Sequence, residues 1–488
     1  MDELAFATAN ELAAAIRAQR TSSREIVEAL LARIAEYNPG LNAIVTLDAE
    51  QALQRASEAD AALGRGEPWG PLHGVPITIK DCFETAGLRT TSGFPGLRDY
   101  IPEWDASAVA RLRRAGAIII GKTNLPALAA GNVSDNELFG RSSNPWDLAR
   151  TPGGSTGGGG AAVAAGLSPL ELGSDYSGSL REPAHYSGVL TIRPTEHRVP
   201  TTGHIPPMPG AATSTRHMNT VGPVARSIDD LELALGVIAG PDGVEWEVPP
   251  VPLEAVAPRT PASLRVAFSA GMAGLPVEPV IAQAIRRFAT ELERAGAVVE
   301  EIAPAGFDAV DAIETYGELA ASERGAGVSP EQEAQDLANL GVALDHPEAD
   351  RRGRARRQNA TVRDYMTTLM HRDRLIAALD TFLGGFDAFL CPVAMTPAFT
   401  HRPNRAPVAV NGVDVGGWTA SFGYTAPFAV TGNPVLVLPI AWERWDGTAM
   451  LPIGVQVVGR RWAESRLFAI GRALEQVTGG FRRPPGYS

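Results

Sequence analysis

The stretch TPGGSTGGGGAAVAAGLSPLELGSDYSGSLREPAHYSGVLTIRPT, residues 151–195, decides how the rest of the chain is read. It sets Ser155 and Ser179, 24 residues apart, in glycine-dense surroundings on either side of an apolar small-residue segment read as a helix. Glycines 153–154 and 157–160 open backbone angles closed to other residues and let main-chain N–H groups come close to a reacting atom. A flexible loop is the plain alternative, but flexible linkers lack an apolar run such as AAVAAGL. A site built on two serines is the reading carried forward.

Upstream, PLHGVPITIKDCFETAG supplies a strand over 75–80 that ends on Lys80. Most lysines are solvated surface charges. An ammonium that follows Ile77 and Ile79 is partly desolvated, which lowers its pKa and makes a neutral amine available. A helix over 106–115 and a buried strand over 117–120, ending in GKTN, add α/β layering. The polar segment NVSDNELFGRSSNPWDLAR that follows reads as loop. Two helices open the chain, the second capped at Ser22 by the box Ser22-Ser23-Arg24-Glu25, and a loop follows them.

Downstream come a Pro/Gly-rich loop, HIPPMPGAATS, a helix through VARSIDDLELALGVIAG, and a surface crossing with six prolines in residues 241–262. LRVAFSAG and PVIAQAIRRFATELERAGAVVEEI make a β-α-β unit. Residues 307–379 turn helical and charged. Their run RRGRARR reads as a solvated helix face, with anion binding by its five arginines as the alternative. FDAFLCPVA, NPVLVLPIAW and LPIGVQVVG are strands, and a helix over 464–477 closes the chain.

With 488 residues, 44% hydrophobic and 20% charged, the chain can bury a large core. A formal net charge of −12 opposes binding to nucleic-acid phosphate, so no nucleic-acid partner is expected. Two cysteines, Cys82 and Cys391, make no disulfide framework or metal-like CxxC and fit a reducing, cytoplasmic compartment. The N-terminus lacks the pattern of a secretory signal, and no run reaches the roughly 18 apolar residues of a membrane span. Self-association has no distinctive signature in one chain, so a homo-oligomer stays open.

Three chemistries compete for the serines. Gly153-Gly154-Ser155-Thr156-Gly157 matches a G-x-S-x-G elbow in form, with a downstream histidine such as His401 to complete a triad. An elbow needs a strand immediately before it, however, and NPWDLARTP is turn-like. A phosphate loop would need a lysine after the glycine run, and none follows. For the third reading several motifs combine. GVPITIKD, GKTN, SSNPWD, GGSTGG, GSDYSGSLREPA, TIRPT, TAPFAVTGNP and LPIGVQVVG, in this order across nearly the whole chain, resemble the amidase signature family.

The resemblance implies a single α/β domain over residues 1–488, a mixed central β-sheet covered by helices on both faces. Its catalytic core would be about 65–240 and 385–488, with a helical pocket-shaping region about 307–379. It further implies Ser179 as nucleophile, Ser155 as a serine preceded by a cis peptide bond, and Lys80 as the terminal base. Tyr176, Ser177, Gly178 and Ser179 would supply backbone donors to an oxyanion, with Asp175 and Arg181 holding their loop. An unperturbed lysine is less than about 1% neutral near pH 8, so desolvation must activate Lys80.

Ser177 departs from the family pattern, replacing a glycine in the oxyanion loop; Thr156, Ser187 and Arg193 are further departures. Leu128, Phe139, Tyr176 and Phe422 are the expected substrate pocket and favour a small acyl or aryl amide. Carbamates and nylon-like oligomers remain alternatives, and no metal or organic cofactor is implied. Two other readings stand beside the hydrolase: the amide-cleaving subunit of a tRNA-dependent amidotransferase, and a non-catalytic binding protein on the same scaffold.

Overall fold

The computed structural model describes residues 2–358, 360–447 and 449–487. The apolar runs become strands, eleven of which join one mixed sheet flanked by helices. In chain order these are β1 (Ile44–Leu47), β2 (Pro76–Lys80), β3 (Ile118–Thr123), β4 (Leu170–Asp175), β5 (Leu190–Arg193), β6 (Thr220–Ala225), β7 (Arg265–Phe268), β8 (Val298–Glu301) and β9 (Ala388–Pro392). A separate hairpin, β10 (Val408–Val410) with β11 (Val413–Val415), precedes the last two sheet strands, β12 (Val435–Arg444) and β13 (Met450–Val458). The spatial order is β1-β3-β2-β4-β6-β5-β12-β13-β9-β7-β8.

Near the site, β2 lies between β3 and β4 and runs parallel to both. Carboxyl ends of parallel strands open onto crevices, because the chain must leave the sheet there. Lys80 ends β2 and Asp175 ends β4, so the two emerge at one such edge.

The glycine run behaves differently from the reading above. Gly157–Ala164 is itself a helix, buried along its whole length, with the glycines as its first turn. A helix enclosed on all sides needs small residues: a Cβ on Gly158 would lie 2.5 Å from the Asn124 amide nitrogen, and one on Gly159 2.5 Å from the Glu171 side chain. These glycines serve close packing. The segment between the serines also holds β4, which reads poorly in sequence because LELGSD ends in small and polar residues.

At the N-terminus, the expected first helix is split into Asp2–Phe6 and Ala9–Arg17 by a capping box at Thr8. Helix Ser23–Leu41 begins at the Ser22 box, as read from sequence. The expected loop after it contains β1 and helix Ala49–Gly64. That helix buries only alanines, Ala52, Ala56, Ala59 and Ala62, a helical period with little apolar contrast. The charged region forms helices Ala309–Gly325, Pro330–Leu340, Ala349–Arg356 and Val362–Leu383. Among the described residues, no helix is long and apolar enough to cross a membrane.

Candidate active site

Lys80 is fully buried at the end of β2. Its Nζ lies 2.7 Å from Ser155 Oγ and 3.0 Å from Ser174 Oγ, and no carboxylate of a described residue pairs with it. Burial pushes the ammonium pKa down, and the neighbouring acidic groups of Cys82, Asp175 and Glu171 oppose that only in part.

Ser155 follows a cis peptide bond from Gly154. Gly154 N–H donates to buried Glu182 (2.8 Å), Gly153 C=O accepts from Ser134 Oγ (2.9 Å), and Thr156 N–H donates to the Ser179 carbonyl (3.1 Å). The last bond ties the two serine loops together. Ser155, Ser174, Tyr176 and Ser179 all line one cavity of about 620 Å³.

Residues 176–179 form the turn from β4 into helix Arg181–Ser187. Asp175 clamps this turn. Its Oδ2 accepts from Leu180 N–H (3.1 Å) and Arg181 Nε (3.0 Å), and its Oδ1 accepts from Arg181 Nη2 (2.9 Å). Burial raises the Asp175 carboxyl pKa, but Arg181, the hydrogen bonds and Arg193 outweigh that and hold it below the usual carboxylate range. Arg181 in turn donates to Thr425 O (2.7 Å) and Gln456 Oε1 (3.0 Å). With the turn so fixed, the N–H groups of Tyr176, Ser177, Gly178 and Ser179 have no acceptor among the described residues. Such fixed, unfilled donors suit an oxyanion.

Gly178 must be glycine, since a Cβ there would run into Thr425 Oγ1 and lie 2.6 Å from the Phe422 ring. Ser177 is under no such demand: it has no positive φ, so its Cβ fits the turn.

Of the four residues expected in the pocket, Leu128 and Tyr176 line the cavity, whereas Phe139 and Phe422 lie outside it. An Asx turn, in which Asn136 Oδ1 accepts from Leu138 and Phe139 N–H, swings Phe139 onto the half-exposed surface beside Arg89. Phe422 ends helix Gly417–Phe422 and packs behind the 176–179 turn, edge-on to Trp418. His401 does not line the cavity either; its Nε2 meets the Leu148 carbonyl at 3.0 Å.

Sequence reasoning missed Ser174 and His204. His204 Nε2 lies 2.9 Å from Ser174 Oγ, and its Nδ1 lies 3.1 Å from the Pro206 carbonyl. A carbonyl can only accept, so Nδ1 carries the proton and Nε2 accepts from Ser174. Burial, then nearby Lys80, pushes the imidazole down to about 4, keeping it neutral. The loop HIPPMPGAATS signalled only irregular backbone; nothing local in it points at Lys80.

His197, Glu245 and Glu247 bring one ligand atom each within 4.8 Å of one another. None lines the cavity, and Glu247 already pairs with Arg216 at 3.2 Å.

The Amidase family model matches residues 25–468. The chain belongs to the amidase family. An indoleacetamide hydrolase from Bradyrhizobium diazoefficiens is 35% identical over 97% of this amidase and 86% of its own length. A glutamyl-tRNA(Gln) amidotransferase subunit from Moorella thermoacetica is 33% identical over 99% of both chains. A solved amidase structure superposes with a TM-score of 0.77 at 28% identity, covering 96% of this chain and 99% of the other. Amidases of this family hydrolyse amide bonds, and the buried lysine, two serines and unfilled N–H turn of this one are groups that such chemistry can use.

Proposed function

We propose that this amidase cleaves the carbon–nitrogen bond of a small amide by acyl transfer through Ser179. The observation that carries the reading is the buried Lys80 Nζ on Ser155 Oγ, with no carboxylate of a described residue paired to it. Neutral Lys80 takes a proton from Ser155 as Ser155 takes one from Ser179, and Ser179 Oγ attacks the carbonyl carbon. Negative charge on the carbonyl oxygen meets the N–H groups of the 176–179 turn, which were oriented before the charge formed. Collapse breaks the C–N bond, and Ser155 returns a proton to the leaving amine. Water then repeats the sequence on the acyl-enzyme and frees Ser179.

Likeness to the amidotransferase protein carries a second reading, in which the chain supplies ammonia to a partner complex. Both are tested by one experiment: the isolated chain is incubated with a panel of small amides, ammonia is measured, and the Ser179 peptide is analysed by mass spectrometry after acid quench. The hydrolase reading expects sustained ammonia release and an acyl adduct on Ser179. Turnover only on addition of partner proteins would favour the second reading, and an acyl adduct on Ser155 would sink the mechanism.

A further inference from the structure

Beyond the serines, the same cavity is lined by Arg324, Arg354 and Arg405. Among the described residues, none of the three guanidinium groups donates a hydrogen bond, although Arg354 is only 6% exposed. Its one ion-pair partner among the described residues is Asp350, whose Oδ2 lies 3.6 Å from Nε, beyond hydrogen-bond reach. Arg324 lies over the Tyr176 ring at 4.4 Å, and Arg354 faces the Tyr316 ring at 5.8 Å. Tyr176 Oη, on the residue that begins the oxyanion turn, is buried and likewise unpartnered. Buried donors are almost always satisfied, so two unfilled ones on one cavity, Arg354 Nε and Tyr176 Oη, beside the half-buried guanidinium groups of Arg324 and Arg405, point to an acceptor that enters it.

The fold goes out of its way to turn Arg354 inward. Helix Ala349–Arg356 crosses helix Ala309–Gly325 at two glycines: a Cβ on Gly353 would run into the Glu314 carbonyl, and one on Gly317 into that of Asp350. The outward arginines of the same run are satisfied, with Arg352 on Glu314 (2.6 Å) and Arg357 on Glu318 (2.7 Å). RRGRARR is thus a paired surface face with one member diverted to the cavity. Burial, then repulsion from Arg354, pushes Arg405 down to about 10, still charged at neutral pH. Acids do reach the rim: Glu333 and Asp336 line the cavity from helix Pro330–Leu340, but neither pairs with the arginines, and Asp336 accepts from Gln332 (2.7 Å).

We infer that Arg324, Arg354, Arg405 and the Tyr176 hydroxyl form an anion subsite, so that the substrate is a small amide whose other end carries a carboxylate. This rests on the amide-hydrolase reading and narrows its substrate class. Guanidinium forks grip a carboxylate bidentately and stay charged throughout the working pH range.

The test is calorimetric and does not require turnover. Malonamate, succinamate and glutaramate are titrated into the Ser179→Ala chain beside propionamide, butyramide and valeramide. At least one carboxylate should bind about 10- to 100-fold more tightly than its neutral counterpart, as charge-assisted bonds would give. Arg405→Gln and Arg324→Gln should each erase most of that preference, and Arg405→Lys should restore part of it, with melting temperatures checking the fold. Equal binding of anion and neutral amide, absence of binding by every anion, or a preference that survives both variants would overturn the subsite. Labelling of Ser179 by a fluorophosphonate in the unaltered chain reports separately on the hydrolase reading, so the two can fail independently.

Discussion

Two lysines, Lys80 and Lys122, are buried side by side on neighbouring parallel strands and meet different partners. Ile79 is the register partner of Lys122, and Lys80 that of Thr123, so alternation sends the two ammonium groups to opposite faces of the sheet. Both are fully buried, and burial pushes both pKa values down. Lys122 meets a carboxylate, Asp81, at 3.5 Å, along with the Phe83 carbonyl and Thr90 hydroxyl at 2.7 Å each. Among the described residues, Lys80 meets only two hydroxyls and a carbonyl at 3.5 Å. Burial alone therefore does not mark a base; its partners decide whether a buried lysine is held in the structure or left free to trade a proton.

Exchanging each lysine for methionine separates these roles. Lys80→Met should cost about 10³- to 10⁴-fold in kcat/KM on any amide the chain turns over, with the fold intact by circular dichroism. Lys122→Met should instead cost about 3–5 kcal/mol in denaturant unfolding, because it strands the Asp81 carboxylate. Similar losses of activity from both, with similar stability, would erase the distinction.

A smaller effect separates geometry from charge at the 176–179 turn, proposed to hold the oxyanion. Gly178→Ala should lower kcat by about 10²- to 10³-fold, the worth of a displaced oxyanion donor, as its Cβ pushes against Thr425. Retained activity would show that the turn is not used.

Glu182 carries the comparison to an acid. Burial, opposed by the Gly154 hydrogen bond, pushes its carboxyl pKa up from 4.5 to about 8. The folded state then binds the proton more tightly than the unfolded one, so the stability it contributes is full below about pH 4.5 and is lost as pH rises through about 8. Glu182→Gln keeps an acceptor for Gly154 and should flatten that decline in urea midpoints measured from pH 5 to 9; an unchanged slope would place the titration elsewhere.

The smallest effect is expected at the departure from the family pattern. Ser177→Gly should leave kcat within about threefold, since Ser177 occupies ordinary backbone space. A large gain would show that the Cβ restrains the turn.

Much of this is legible in the chain because it is local. The strand ending on Lys80, the Ser22 capping box, the β-α-β unit and the glycine-flanked serines each announce themselves within a few residues. The rest depends on segments far apart. His204 reaches Ser174 across 30 residues, Glu182 reaches Gly154 across 28, and Arg354 enters the cavity only because two helices cross at Gly317 and Gly353. Phe139 and Phe422 are expected in the pocket on apolarity alone, and apolarity does not say which side of a wall a ring takes. The RRGRARR run shows the same limit, since its period cannot tell which arginine is turned inward.

The most direct test of the account follows fluorophosphonate labelling, with peptide mapping, as a function of pH in the unaltered chain and in Lys80→Met. Label is expected on Ser179 alone, at a rate that rises with pH to a plateau through an apparent pKa below the ordinary lysine value of about 10.4, with both the rate and its pH dependence lost in Lys80→Met. Label on Ser155, or labelling of Ser179 that keeps its rate and pH profile without Lys80, would contradict it.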